Sequence, residues 1–153
     1  MSIDKYIASS ILIVCHAFAP TWSSMYGVWD EGHFLYVFSH ANIFHLAVNL
    51  FAIALLRNKI RWLPCYVIAA ICSCLPCTSH PVVGCSGLLF AHVGYTWGRV
   101  GQSEGLVTRA LLPALLLGLL PNMAMMLHIY CLIGGYLYGL LLMKWQNRRT
   151  LTD

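Results

Sequence analysis

Charge is what this sequence has least of. Only 9% of its 153 residues are Asp, Glu, Lys or Arg, against roughly a quarter in soluble globular domains. So few ionic groups cannot cover a water-facing surface, which excludes an ordinary soluble domain. A disordered chain is excluded as well, because disorder goes with high charge and low apolar content, and here 59% of residues are hydrophobic. There is no low-complexity segment, no clear internal repeat and no basic stretch with interleaved aromatics. Nucleic-acid binding therefore has no support.

What is present is long apolar sequence. The mean hydropathy is +0.73, and the length fits a single domain, 1–153. Six apolar stretches can be read, at approximately 6–23, 42–56, 60–77, 84–100, 106–120 and 122–145. A membrane span needs about 20 residues, with about 17 tolerated. The second and fifth stretches are short for that, and fit a locally thinned bilayer or burial among neighbours. The expected fold class is all-α, a polytopic membrane protein with six transmembrane helices.

The cations test that count independently. Nine Lys and Arg are present: Lys5, Arg57, Lys59, Arg61, Arg99, Arg109, Lys144, Arg148 and Arg149. With six spans they all fall on one side of the membrane, and the other side carries only Asp30, Glu31, His33 and His80. The positive-inside rule then puts both ends of the chain in the cytoplasm. The basic run 144–149 reads as a topological anchor near anionic lipid. Residues 7–19 have the look of a signal-peptide core, but Pro20 hinders cleavage there and a single cation precedes the run. The stretch is expected to be a retained first helix.

Polar side chains inside spans cost free energy and are functional candidates by default. The fourth span enters from the external side at Gly84-Cys85-Ser86-Gly87, with Ser86 in its first turn. The sixth enters from the same side near Asn122, which puts His128 about 9 Å along its axis. The second also enters from outside, and the i,i+4 spacing of His45 and Asn49 sets both on one face. Serine, two histidines and asparagine thus reach similar depth on three helices. A serine hydroxyl is a poor nucleophile until a base removes its proton, and histidine is the usual base at neutral pH. No carboxylate lies on either span to complete a triad. Oxyanion donors would be the Ser86 N–H, at a helix N-terminus, with His45 and Asn49.

Packing supports the pairing of Ser86 with His128. The fourth span carries Gly87, Ala91, Gly94 and Gly98, and the sixth carries Cys131, Gly135 and Gly139. Two small-residue stripes let helix backbones approach closely. Phe90, one turn below Ser86, is expected to pack on the His128 ring.

Taken in order, these motifs resemble the rhomboid intramembrane serine proteases. The family's His-x-x-x-Asn on its second helix is matched by His45-Leu46-Ala47-Val48-Asn49, following Phe38-Ser39-His40-Ala41-Asn42-Ile43-Phe44. Its Gly-x-Ser-Gly is matched by Gly84–Gly87, and its last-helix His with spaced glycines by His128, Gly135 and Gly139. The similarity covers roughly residues 34–140 and fits a minimal, divergent member. Leu35-Tyr36 stands where a Trp-Arg pair is usual, Cys131 replaces a glycine, and Phe90 replaces a common tyrosine. The resemblance implies Ser86 as nucleophile, His128 as general base, and His45 and Asn49 at the oxyanion hole. Phe90, Gly84, Gly87 and Gly135 would support them. It further implies transmembrane protein substrates cleaved in the lipid bilayer, with no metal or organic cofactor. The setting would be a bacterial cytoplasmic membrane, with the site open to the external side.

Two other readings compete. Cys74-Leu75-Pro76-Cys77, with His80 nearby, has the C-x-x-C form of a thiol-disulfide oxidoreductase. It falls at a helix C-terminus, however, where the dipole opposes thiolate formation. Small apolar filling is expected of Cys15, Cys65, Cys72, Cys85 and Cys131. A non-catalytic helix-binding protein is the other alternative, with Ser86 a helix cap and His128 a structural histidine. His40 is expected beside the site and His92 bonded to a neighbouring helix or water. His16 and His33 show no partner pattern.

Overall fold

A computed structural model describes residues 3–56, 60–76, 80–100 and 124–149. These form an all-α arrangement with no strand among the described residues. Helix α1 spans Ile3–Phe18, α2 Gly32–Leu35, α3 Ile43–Leu55, α4 Trp62–Ser73, α5 Ser86–Val100 and α6 Met125–Arg149, with a 3-10 turn at Tyr36–Phe38.

Local chemistry sets several of these ends. The Asn42 side chain accepts from the His45 N–H at 2.9 Å and caps α3. At the other end of α3, the Lys5 ammonium donates to the Leu56 carbonyl. That contact places a cation where the helix dipole favours one, and it buries Lys5. Pro64 sits in the first turn of α4, where a missing N–H costs nothing because that turn has no carbonyl to bond. Gly84 has φ 111°, a conformation that an L side chain resists, and α5 starts two residues later.

Helices α1, α3, α4 and α5, of 16, 13, 12 and 15 residues, are shorter than the apolar stretches suggest. Among the described residues only α6, at 25 residues, is long and apolar enough by itself to cross a membrane. Its length is about 37 Å, against a hydrocarbon core of about 30 Å. Preceding α3, the short helical pair Gly32–Phe38 joins it only through an 81° bend. The stretch 60–77 yields the 12 residues of α4, because the chain turns at Cys74 ahead of Pro76. The fifth stretch, 106–120, lies outside the described residues, as do Asn122, Arg57, Lys59, Arg109 and Cys77.

Among the described residues the most extensively packed helix pair is α5 with α6. Glycine makes this possible from both sides. A Cβ at Gly94 or Gly98 would strike the Leu132 or Tyr136 carbonyl, and one at Gly135 or Gly139 would strike that of Ala91 or Tyr95. The stripes read from the sequence are therefore the contact itself. Helix α4 packs on both members of the pair. The core lies at this junction, with Tyr36, Leu46, Ile53, Cys65, Ala69, Ala91 and Leu127 all buried. Outward faces stay apolar, as at Ile7, Phe44, Phe51, Leu63, Ile71, Leu137 and Leu141.

Candidate active site

Ser86 opens α5 and His128 lies in the first turn of α6. Their side chains meet: Ser86 Oγ is 2.8 Å from His128 Nε2. The serine is half-buried and the histidine only 2% exposed. With the hydroxyl donating to Nε2, the neutral ring carries its proton on Nδ1. That nitrogen is buried and has no hydrogen-bond partner among the described residues. Orientation comes instead from Phe90, whose ring stacks on the imidazole at 4.3 Å between centroids and 4° between planes.

The turn before Ser86 brings in the second pair. A Cβ at Gly84 would lie 2.6 Å from His45 Cε1, 2.8 Å from His45 Nε2 and 3.6 Å from the Asn49 amide nitrogen. Both side chains of α3 therefore close over the Gly84 backbone, two residues from the serine. Asn49 is buried, and its amide donates to the His45 carbonyl at 3.2 Å. An amide has two N–H donors, so one remains for another acceptor. Glycine is required at 84 twice over, by its φ and by the His45 ring. At Gly87 the constraint is the Tyr36 hydroxyl and the Cys131 thiol, 3.1 and 3.3 Å from where a Cβ would sit.

Tyr36 is the residue that sequence reasoning missed. It stood out there only as a departure from a family pattern, yet it is fully buried at the centre of the site's scaffold. Its carbonyl accepts from the Gly84 N–H at 2.9 Å, and its hydroxyl donates to the Ala69 carbonyl of α4 at 3.1 Å. One residue, through its carbonyl and its hydroxyl, thus ties the turn before Ser86 to α4. A tyrosine beside an apolar run was the available signal, since a buried phenol needs a partner.

His33 corrects the sequence reading, which found no partner for it. Its Nε2 donates to the Val28 carbonyl at 2.6 Å. Nδ1 then accepts from the Ser24 hydroxyl at 2.7 Å, and the Ser73 oxygen lies 3.0 Å from it. Ser73 gives its one hydroxyl proton to the Ala70 carbonyl at 2.8 Å. Ser24 and Val82 exchange backbone hydrogen bonds of 2.9 and 2.8 Å. This knot anchors the chain just ahead of Gly84 to the end of α4.

His40, in the turn before α3, packs edge-on against His45 at 5.2 Å, and His16 approaches it at 6.3 Å. Burial, and then the neighbouring His45 and His16, hold the His40 imidazole down at about 4, so it is neutral at pH 7. His92 is buried, and its Nδ1 bonds to nothing among the described residues. Cys74 sits at the C-cap of α4, and Cys77 lies outside the described residues. No group of His, Cys, Asp or Glu among the described residues is arranged to hold a metal ion.

Comparison with protein-family models, curated proteins and solved structures gives no match.

Proposed function

We propose that this chain is an intramembrane serine endopeptidase of rhomboid type, a six-helix member that cleaves transmembrane segments of other membrane proteins. The observation that carries the reading is the 2.8 Å contact between Ser86 Oγ and His128 Nε2. A lone serine cap or a structural histidine has no need of the other. Apolar outward faces and the long helix α6 support a bilayer setting.

The chemistry follows from the atoms. A peptide carbonyl is presented to Ser86, and Oγ attacks as its proton passes to His128 Nε2. The imidazolium so formed faces the π-surface of Phe90, which favours a cation over a neutral ring by about 0.5–2 kcal/mol. Negative charge grows on the carbonyl oxygen, near the Ser86 N–H at the start of α5 and the spare N–H of Asn49. Fixed donors of that kind are worth about 3–4 kcal/mol each when the site excludes water. His128 then gives its proton to the departing amine. Water, activated by the same ring, releases the acyl group.

Substrate would enter from the side as a helix, unwinding to offer one bond to Ser86. The decisive experiment is labelling of purified, reconstituted protein with a fluorophosphonate probe. Labelling should occur in wild type, vanish in Ser86→Ala and persist in Cys74→Ala. Absence of labelling in folded wild type would defeat the proposal.

A further inference from the structure

Helix α1 packs chiefly on α3 and the 3-10 turn, and α4 on α5 and α6. Between these two groups lies a cavity of about 420 Å³, within the usual range of ligand pockets. Helix α1 lines it from Asp4 to Leu12, about 12 Å along the axis. The 3-10 turn adds Phe38, the start of α4 adds Trp62, and Cys85 and Leu88, which flank Ser86 in sequence, complete the wall. Ordered water needs two to four polar partners, which this almost wholly apolar lining does not offer. Ile7, Ile11 and Leu63 also line the cavity and are exposed. It therefore opens through faces that the bilayer reading sets against hydrocarbon.

Polar groups gather at one end. Lys5 donates to the Leu56 carbonyl, which holds the start of α1 beside the chain leading into α4. That end carries Asp4 and Trp62 in the lining and Arg61, exposed, at the N-cap of α4. The indole N–H of Trp62 is buried and has no hydrogen-bond partner among the described residues, whereas a buried indole N–H ordinarily finds one. A molecule that fills the cavity must bring an acceptor to this end. A transmembrane helix has none to spare along its length, because its backbone carbonyls are bonded within it. A lipid ester supplies one at the head of its acyl chain.

We infer that this cavity holds one acyl chain of an ethanolamine phospholipid from the leaflet on the cation-bearing side of the chain. The ester carbonyl accepts from Trp62, the phosphate meets the Arg61 guanidinium, and the ammonium meets the Asp4 carboxylate. Both charges of the headgroup thus find their opposites. A phosphoglycerol headgroup would bring only negative charge to Asp4, and a choline ammonium has no N–H to donate to it. The inference rests on the bilayer part of the proposed function and not on hydrolysis.

The test reconstitutes the full chain in vesicles holding an ethanolamine phospholipid with a diazirine on its acyl chain, irradiates them, and maps adducts by mass spectrometry. Adducts are expected at Leu12, Cys85 and Leu88, each 5% exposed or less, where lipid outside the molecule does not reach. Unlabelled ethanolamine lipid should compete several-fold better than phosphoglycerol lipid, and Asp4→Asn should erase that preference. Ala8→Phe, which fills the cavity from α1, should abolish the deep adducts in protein shown to be folded by its Tm. Adducts confined to Ile7, Ile11 and Leu63 report surrounding lipid only and overturn the inference. Deep adducts that survive in folded Ala8→Phe overturn the cavity as their site, and equal competition overturns the headgroup assignment. Protein that fails to float with the vesicles defeats the bilayer setting and the inference together. Wild type that gives deep adducts but never takes up a fluorophosphonate supports the lipid site and defeats the hydrolase reading alone.

Discussion

Gly135→Ala puts the helix contact on trial without touching the reacting groups. The added Cβ would fall 2.8 Å from the carbonyl carbon of Ala91 and 3.0 Å from its Cα, with the carbonyl oxygen nearer still. Carbon atoms in contact prefer about 3.5–4.0 Å, so α5 and α6 must part by about 1 Å. Local relief is closed off, because the obstacle is backbone. Gly94, Gly98 and Gly139 hold the same interface equally close along its length, so the helices separate as rods rather than bending at one point.

Separation of that size carries the Ser86–His128 contact from 2.8 Å to near 4 Å, beyond a hydrogen bond. Misplacement of reacting groups by about 1 Å costs on the order of 10²-fold in rate, or about 2.7 kcal/mol of barrier. Overpacking should cost a further 1–3 kcal/mol or so of stability. The assay is the rate of fluorophosphonate labelling, with thermal unfolding measured on the same sample. Labelling should fall about 100-fold, even in a protein folded well below its Tm. A folded variant that labels at the wild-type rate refutes the claim that this close approach sets the dyad.

Other expectations can be checked in the same system. Phe90→Ala should reduce kcat by about tenfold by freeing the imidazole, while Phe90→Tyr, which keeps the ring, should retain most of it. Asn49→Ala should lower kcat by roughly 10²-fold with little change in KM, and an unchanged rate removes Asn49 from the oxyanion site. His33→Ala strands the Ser24 hydroxyl in the interior and should destabilise the fold by about 1–3 kcal/mol, read as a lowered Tm. His40 is held at about 4 in the fold against 6.5 when free. The unfolded chain therefore binds more protons in that window, and stability should drop as pH falls from about 6.5 toward 4. His40→Phe should flatten that part of the Tm profile.

The Ser86–His128 contact was legible in the sequence because helices convert residue counts into depth. Ser86 and His128 are each near the entry of an apolar stretch, and glycines at helical spacing mark the faces that must touch. The helix lengths were much less legible. An apolar run records solvent, and the chain bends inside such a run before α3 and stops short of its end in α4. Hydropathy has no term for either event.

Tyr36 and His33 were illegible for a different reason. Their partners are backbone carbonyls and small hydroxyls, the carbonyl of Ala69 for one, and the carbonyl of Val28 with the hydroxyls of Ser24 and Ser73 for the other. Every residue supplies a carbonyl, so no pattern of side chains announces the pairing. Yet these two residues bear on the turn before Ser86 as directly as any predicted position, Tyr36 by its bond to Gly84 and His33 through Ser24 and Val82. The motif at 84–87 is held by neighbours outside it, through the Gly84–Tyr36 bond and the contacts on Gly84 and Gly87. A sequence carrying the same four residues without a phenol and a buried imidazole behind them would keep the motif and lose the geometry.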